Sequence, residues 1–447
     1  MCSDEHISYF INRRKDIMYT IDSLLPIFAE RVYFSVIGRY IYVTNKSGSK
    51  QGLFGKDVIR IIQYVENAAG EQKTFRDLFA DLSLPETIYE AVYSVMQALH
   101  DKGFFDSPTE TVRFFGPDEE IYRIISAECC QFPTPLFVNI ELTTACNLQC
   151  AHCYNTNDKV FLPLEAVRKK LAELRVLGTL FVGLSGGEPL LHPDIKEIIS
   201  CCDELGMIVQ ILSNATLMND DLAAFFCEKS VQVVKVSLYS LSEEQHNRIT
   251  RQNSFHRTYD NILKYKDRIP FAVSCPITRW NTDVIPALQE WAKQLRVPVN
   301  FSLGIVAKSD CSKDNLESRM TLEQYKTCLA ALDITSEHDV YPPENKRRLC
   351  SAGCSSLALD AEGDVLLCPL LKSVKFSQKD ESIGDTWRHC DKLQAIRALT
   401  RDAMERCVGC EHQQKCHICL ADNFNETGDL LCVPEEVCEQ RKVKFSL

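Results

Sequence analysis

Cys146-Asn-Leu-Gln-Cys150-Ala-His-Cys153, directly after the apolar run Phe137-Val-Asn-Ile-Glu-Leu142, is the stretch on which the reading of the fold turns. The apolar run has the length and composition of a buried strand. Three thiolates so close together on the loop leaving a strand can hold three irons of a four-iron cluster and leave the fourth open for chemistry. Zinc is the competing occupant, but a structural zinc takes four ligands and no fourth stands nearby in sequence.

Working outward, apolar runs alternate with amphipathic segments from Leu136 onward, the pattern of a parallel α/β fold. Strands are expected at Phe137–Leu142, Leu180–Leu184, Ile208–Leu212, Val233–Leu238, Phe271–Cys275 and Val299–Leu303, with helices at Leu164–Leu177, Asp194–Leu205, Asp220–Glu228, Arg257–Asp267 and Asp283–Leu295. In such a fold the loops after the strands build the site. After the second strand stands Ser185-Gly186-Gly187-Glu188-Pro189, after the third Ser213-Asn214-Ala-Thr-Leu, and after the fourth Ser237-Leu-Tyr239-Ser240.

The cysteine spacing C-x3-C-x2-C, the Gly-Gly-Glu turn one strand later and the Asn214 loop together resemble the radical S-adenosylmethionine (SAM) enzymes. That resemblance implies a partial (β/α)6 TIM-like barrel over residues 136–310, with a [4Fe-4S] cluster on Cys146, Cys150 and Cys153. It implies SAM contacts from His152, Gly186, Gly187, Glu188, Asn214 and Ser237. Glu188 would offer its carboxylate to the methionine ammonium, and His152 would shape the adenine pocket. His246-Asn-Arg-Ile-Thr-Arg-Gln-Asn-Ser-Phe255 is similar to a further family stretch, from which Arg248 or Arg251 would pair with the SAM carboxylate. Tyr239 departs from the pattern, since an acidic residue is common at its position. Thr278-Arg-Trp-Asn281, after the fifth strand, is a weaker match.

The 447 residues imply roughly two to three domains. A net charge of −11 without a basic stripe argues against a nucleic-acid partner. No apolar run reaches the roughly 18 residues of a membrane span, and the first residues lack a signal pattern, so the cytoplasm is the expected location. Twenty-two cysteines in a reducing compartment point to metal or catalysis where they cluster, and to small buried hydrophobes where they scatter, as at Cys227 and Cys275.

Residues 1–110 read as a β-ribbon, Val32 to Val43, followed by helices near Lys56–Glu66, Phe75–Leu82 and Pro85–His100. The order resembles a winged helix, and before a radical SAM core it resembles the precursor-recognition elements of ribosomal peptide pathways. There a leader peptide adds to the ribbon edge and packs on a helix. A cap on the barrel, or a regulator fold without DNA, is the plainer alternative. Proline pairs mark residues 111–135 as a linker, and residues 311–349 bridge to the last domain.

In residues 350–447 an Asp-x-x-Gly turn between short apolar runs reads as a hairpin. Around it lie Cys350, Cys354, Cys368, Cys407, Cys410, Cys416, Cys419, Cys432 and Cys438. The layout resembles the SPASM extension, which implies two auxiliary [4Fe-4S] clusters: one on Cys350, Cys354, Cys368 and Cys419, the other on Cys407, Cys410, Cys416 and Cys438. Cys354 lies unusually near Cys350; without it that cluster has an open iron. Cys432 competes with Cys438. Zinc ribbons are the alternative.

The combined expectation is a radical SAM peptide maturase acting on a ribosomally synthesised precursor peptide, similar to sactipeptide maturases that form thioether links from cysteine sulfur to carbon. An electron donor such as flavodoxin or ferredoxin would serve it. Carbon–carbon crosslinking, a SPASM enzyme of the sulfatase-maturation or haem-pathway type, and a non-catalytic iron–sulfur or zinc regulator are the other readings. No general base stands out.

Overall fold

The structure is a computed structural model that describes residues 25–26, 28, 31–68, 71–105, 119–156, 158–229, 231–334, 348–378, 380–413, 416 and 418–446. The chain divides into two compact units, Met1–Phe132 and Pro133–Leu447.

In the first unit β1 (Val32–Ile37), β2 (Tyr40–Asn45) and β3 (Gln51–Gly55) form an antiparallel sheet in that order. The turn at Gly38, in the left-handed region at φ 55°, pairs Ile37 with Tyr40. The third strand goes beyond the expected two-stranded ribbon, because its polar and glycine start, Gln51-Gly52, carries no strand signal. Helices α1 (Ile59–Asn67), α2 (Phe75–Asp81) and α3 (Tyr89–Asp101) follow, as the sequence pattern predicts. Thr74 and Asp77 close a reciprocal capping box at the start of α2. Ile41, Val43, Ile62, Phe75, Leu78, Met96 and Leu99 make the core.

Within the stretch expected as a linker, residues 119–131 form α4 (Glu119–Gln131); residues 111–118 lie outside those described. Its Glu128 holds the β1–β2 turn. Oε1 accepts from the Arg39 backbone N–H at 2.8 Å and Oε2 from Arg39 Nη2 at 2.9 Å. Arg39 thereby holds the Glu128 carboxyl below its ordinary range. Cys129 and Cys130 belong to this helix, and Cys129 is buried.

The second unit runs β4 (Phe137–Thr143), α5 (Leu164–Val176), β5 (Phe181–Gly186), α6 (Ile195–Glu204), β6 (Ile208–Ser213), α7 (Asp220–Glu228), β7 (Val231–Ser237), α8 (Glu243–Thr250), α9 (Phe255–Tyr265), β8 (Phe271–Pro276), α10 (Ile285–Leu295) and β9 (Val299–Ser302). Strands β4 to β9 are parallel and adjacent in sequence order, the α/β partial barrel expected. One side chain in two faces the helices: Val138, Ile140 and Leu142 pack with Leu171 and Leu174 in the main core. The alternate residues, Asn139 and Glu141 on β4 and Lys235 and Ser237 on β7, face the concave side.

After α11 (Leu322–Ala331) come β10 (Ser356–Leu359), β11 (Val365–Leu366), β12 (Lys375–Ser377), α12 (Ile383–His389), α13 (Asp391–Ala398), α14 (Leu420–Thr427) and α15 (Glu435–Phe445). The expected hairpin is β10–β11. It extends the barrel sheet, because β10 lies parallel to β4 with Ser356 opposite Phe137, giving nine strands. Buried Arg319 ties this region to the barrel: its guanidinium donates to Ile305 O at 2.7 Å, to Glu426 on α14 and to Glu436 on α15 at 3.2 Å.

Candidate active site

The exit of β4 is fixed before any ligand is considered. Thr143 Oγ1 donates to Val160 O at 2.6 Å and Val160 N–H to Thr144 Oγ1 at 2.9 Å, so the strand end is pinned against a later part of its own loop. The triad loop is held from below by α8, where Gln149 N–H donates to Thr250 O at 3.1 Å and Ala151 N–H to Ile249 O at 2.9 Å. The stretch expected to offer an arginine thus supports the triad through its main chain. The structure places Arg248 on the exposed face of α8 with its guanidinium 5.5 Å from the Trp280 ring centre. Arg251 makes an exposed ion pair with Glu317 at 3.3 Å.

The Gly-Gly-Glu turn after β5 is pressed against the same strand exit. Gly187 N–H donates to Thr143 O at 2.7 Å and Glu188 N–H to Ala145 O at 2.8 Å. A Cβ on Gly186 would stand 2.1 Å from Thr143 O, and one on Gly187 would stand 2.2 Å from Ala145 O. The glycines therefore permit close approach of backbone to backbone.

Glu188 is fully buried, and it accepts from Leu190 N–H at 3.0 Å, Ser213 Oγ at 2.7 Å and Asn214 N–H at 2.7 Å. Burial pushes its carboxyl up to about 7 against the pull of these donors. Its bonds lock the ends of β5 and β6 together.

Asn214 continues the network: Nδ2 donates to Asn147 Oδ1 at 2.8 Å, and Oδ1 accepts from Thr216 Oγ1 at 2.7 Å. Asn147 Nδ2 returns to Thr216 Oγ1 at 2.8 Å. Asn147 lies inside the triad, so the loops after β4, β5 and β6 form one hydrogen-bonded rim. Sequence reading missed Asn147 and Thr216, whose only signal was nearness to the cysteines and to Asn214.

The three triad cysteines are partly buried. Burial pushes Cys146 up to about 11 and Cys150 up to about 12, with neighbouring cysteine charge adding to both, and burial raises Cys153. Thiolates in so apolar a place call for a cation among them, and this donor set suits iron. Beside it His152 is held neutral, pushed down to about 4 by burial, with its ring edge-on to Tyr239 at 5.0 Å. His152 Nδ1 and Asn155 Oδ1 are buried without a hydrogen-bond partner, which fits a polar ligand such as SAM at this rim. Tyr239 Oη lies 3.7 Å from Cys150 Sγ, and Ser237 is hydrogen-bonded to Tyr239. On the concave face below, burial lowers Lys235, while Glu141 pairs with Lys372 at 2.6 Å.

The C-terminal cysteines fall into two groups. Burial raises Cys350, Cys368 and Cys419, with the charge of Cys350 adding to the shift of Cys368 and that of Cys368 to the shift of Cys419. Cys354 is buried, and its sulfur accepts from Arg348 Nη1 at 3.4 Å. Cys407, Cys410, Cys416 and Cys438 line a cavity of about 180 Å³ with Arg401, Arg406 and Arg441 at its wall. Four thiols facing a cavity collared by guanidiniums fit an anionic iron–sulfur cluster. Cys419 also borders this cavity, whereas Cys432 is exposed.

Residues 140–288 match the Radical SAM superfamily. The chain is similar to the AdoMet-dependent heme synthase of Methanosarcina barkeri, 23% identical over 332 residues that cover 66% of this chain and 94% of the relative. It is also similar to the antilisterial bacteriocin subtilosin biosynthesis protein AlbA of Bacillus subtilis, 26% identical over 316 residues covering 67% of this chain and 68% of the relative. Its fold resembles that of Streptococcus suis SuiB, solved bound to precursor peptide SuiA, with a TM-score of 0.65 at 15% identity over 92% of this chain and 99% of SuiB. The family implies a four-iron cluster and SAM, and the rim described above has the donors for both. The likeness to the radical SAM enzymes rests on the domain at residues 140–288.

Proposed function

We propose that the chain is a peptide maturase: it holds SAM at the Cys146–Cys150–Cys153 rim and oxidises a ribosomally synthesised precursor peptide, forming thioether links from cysteine sulfur to carbon. The observation that carries the radical part is the single hydrogen-bonded rim joining the triad loop, the Gly-Gly-Glu turn and the Asn214 loop. Bound there, the cluster and SAM would supply a 5′-deoxyadenosyl radical by reductive cleavage. The chain's own residues shape the rim: Glu188 and Asn214 fix it, His152 and Tyr239 wall it, and Ser237 and Asn155 offer polar contacts.

The peptide part is supported by the sheet-and-helix unit before the barrel, by the likeness to AlbA, named for bacteriocin biosynthesis, and by the fold shared with SuiB, solved with a precursor peptide. The leader would dock by strand addition at the β1 edge of this sheet and pack on α3. The two C-terminal cysteine groups would hold auxiliary clusters that take up the electron released when the link forms. Cys350, Cys368 and Cys419 would form a three-cysteine site, Cys354 being engaged by Arg348.

The heme synthase relative favours a second reading, action on a haem-pathway substrate in place of a peptide. A leader-docking unit has no use there, so binding separates the two. Residues 1–132 should bind a leader peptide encoded beside the gene, and the full chain without them should not. Equal binding after their deletion refutes the docking role.

A further inference from the structure

Tyr239, the departure from pattern after β7, is placed by the structure against the triad itself. The residue is buried, 4% exposed. The ring stands edge-on to His152 at 5.0 Å and tilted to His246 at 5.5 Å. Its carbonyl accepts from Asn281 Nδ2 at 2.9 Å, and Asn281 is itself fully buried and fixed by Thr278 N–H at 2.7 Å and Thr278 Oγ1 at 2.8 Å. The Asn281 loop therefore positions Tyr239. The hydroxyl so fixed lies 3.7 Å from Cys150 Sγ, within reach of a hydrogen bond to sulfur.

The three sulfurs are treated differently. Cys146 accepts a main-chain N–H from Leu148 at 3.4 Å, and Cys153 accepts one from Asn155. Those donors belong to the loop's own backbone. Cys150 is approached by a side-chain hydroxyl from across the barrel rim, the kind of contact a single substitution alters.

We propose that the Tyr239 hydroxyl donates a hydrogen bond to the Cys150 sulfur and thereby raises the reduction potential of the iron–sulfur centre this cysteine holds. The proposal rests on the cluster reading of the triad given above. A thiol and a hydroxyl can each donate, but an iron-bound thiolate has no proton to give, so the hydroxyl is the donor. A donor to a ligating sulfur stabilises the state with more negative charge, which is the reduced one. Tyr239 is thus a positioning and tuning residue for electron entry.

The test uses the full chain, reconstituted with iron and sulfide under anaerobic conditions, as wild type, Tyr239→Phe and a variant with 3-fluorotyrosine at 239. The signal that shifts on SAM addition identifies the triad centre in an EPR-monitored redox titration. Phenylalanine keeps the ring against His152 and should lower the midpoint potential at unchanged iron content. Fluorotyrosine, a stronger donor of nearly the same shape, should raise it, and decides the matter alone if the phenylalanine variant does not fold. Unchanged potentials in the variants that fold, with the signal present, overturn the proposal and leave the cluster reading standing. A wild-type chain whose iron content is the same as that of Cys146→Ala overturns the cluster reading and the proposal with it.

Discussion

The triad rim and the C-terminal cysteine cavity are the two places proposed to hold iron, and they are held in different ways. At the rim, the loop bearing Cys146, Cys150 and Cys153 is bonded to β5 through Gly187 and Glu188, to β6 through Asn147 and to α8 through Gln149 and Ala151, and none of these bonds involves a metal. Around Cys407, Cys410, Cys416 and Cys438 the chain runs in short turns beside a core of Met404, Val433 and Val437. The rim is tied to three neighbouring elements by protein hydrogen bonds, whereas the C-terminal turns rest on a small core and would draw more of their order from a bound cluster.

Iron removal should give the largest contrast. Chelation should expose residues 400–446 to hydrogen exchange and limited proteolysis while β4 to β9 stay protected. Equal loss of protection in both regions breaks the distinction. Substitution of one cysteine repeats it on a finer scale: Cys410→Ala should open the C-terminal segment, whereas Cys146→Ala should abolish 5′-deoxyadenosine formation from SAM and leave the barrel's exchange pattern as in wild type.

The same glycine-to-alanine change should also separate the regions. Gly187→Ala drives a methyl to 2.2 Å from Ala145 O, and overpacking of this kind costs roughly 3 kcal/mol. Gly409, at φ 78° with nothing within 4 Å of an added Cβ, should cost only about 1 kcal/mol, the penalty of a left-handed alanine. Chemical denaturation of the two variants checks the ranking.

The smallest effect lies in the first unit. Arg39 holds Glu128 below its ordinary pKa, so this clamp contributes stability above the unfolded-state value near 4.5 and loses it as pH falls through the lower folded value. Exchange protection of the β1–β2 turn should therefore decline on acidification below about pH 4.5, and Arg39→Met should remove that dependence.

The contrast between the two regions also governs what could be read in advance. The barrel strands were legible because each is a local apolar run between turn signals, and the observed β4 begins at Phe137 as expected. The triad and the Gly-Gly-Glu turn were legible because their chemistry needs fixed spacing. Partnerships were not. The parallel pairing of Ser356 with Phe137, the bond from Asn214 to Asn147 and the approach of Tyr239 to Cys150 join residues far apart in the chain, and no local pattern records them. Helix α4 was hidden by prolines that flank it at Pro117 and Pro133 rather than interrupt it. The charge of Arg248 suits a carboxylate on sequence grounds, and the structure sets it over the Trp280 ring.

Mass spectrometry of a co-expressed precursor peptide tests the central claim most directly. A peptide maturase that forms thioethers should remove two hydrogens for each link and leave the linked cysteine closed to alkylation, with both changes absent for Cys146→Ala. A precursor recovered at its unmodified mass from cells containing iron-loaded wild-type chain, with every cysteine still alkylated, would contradict the account.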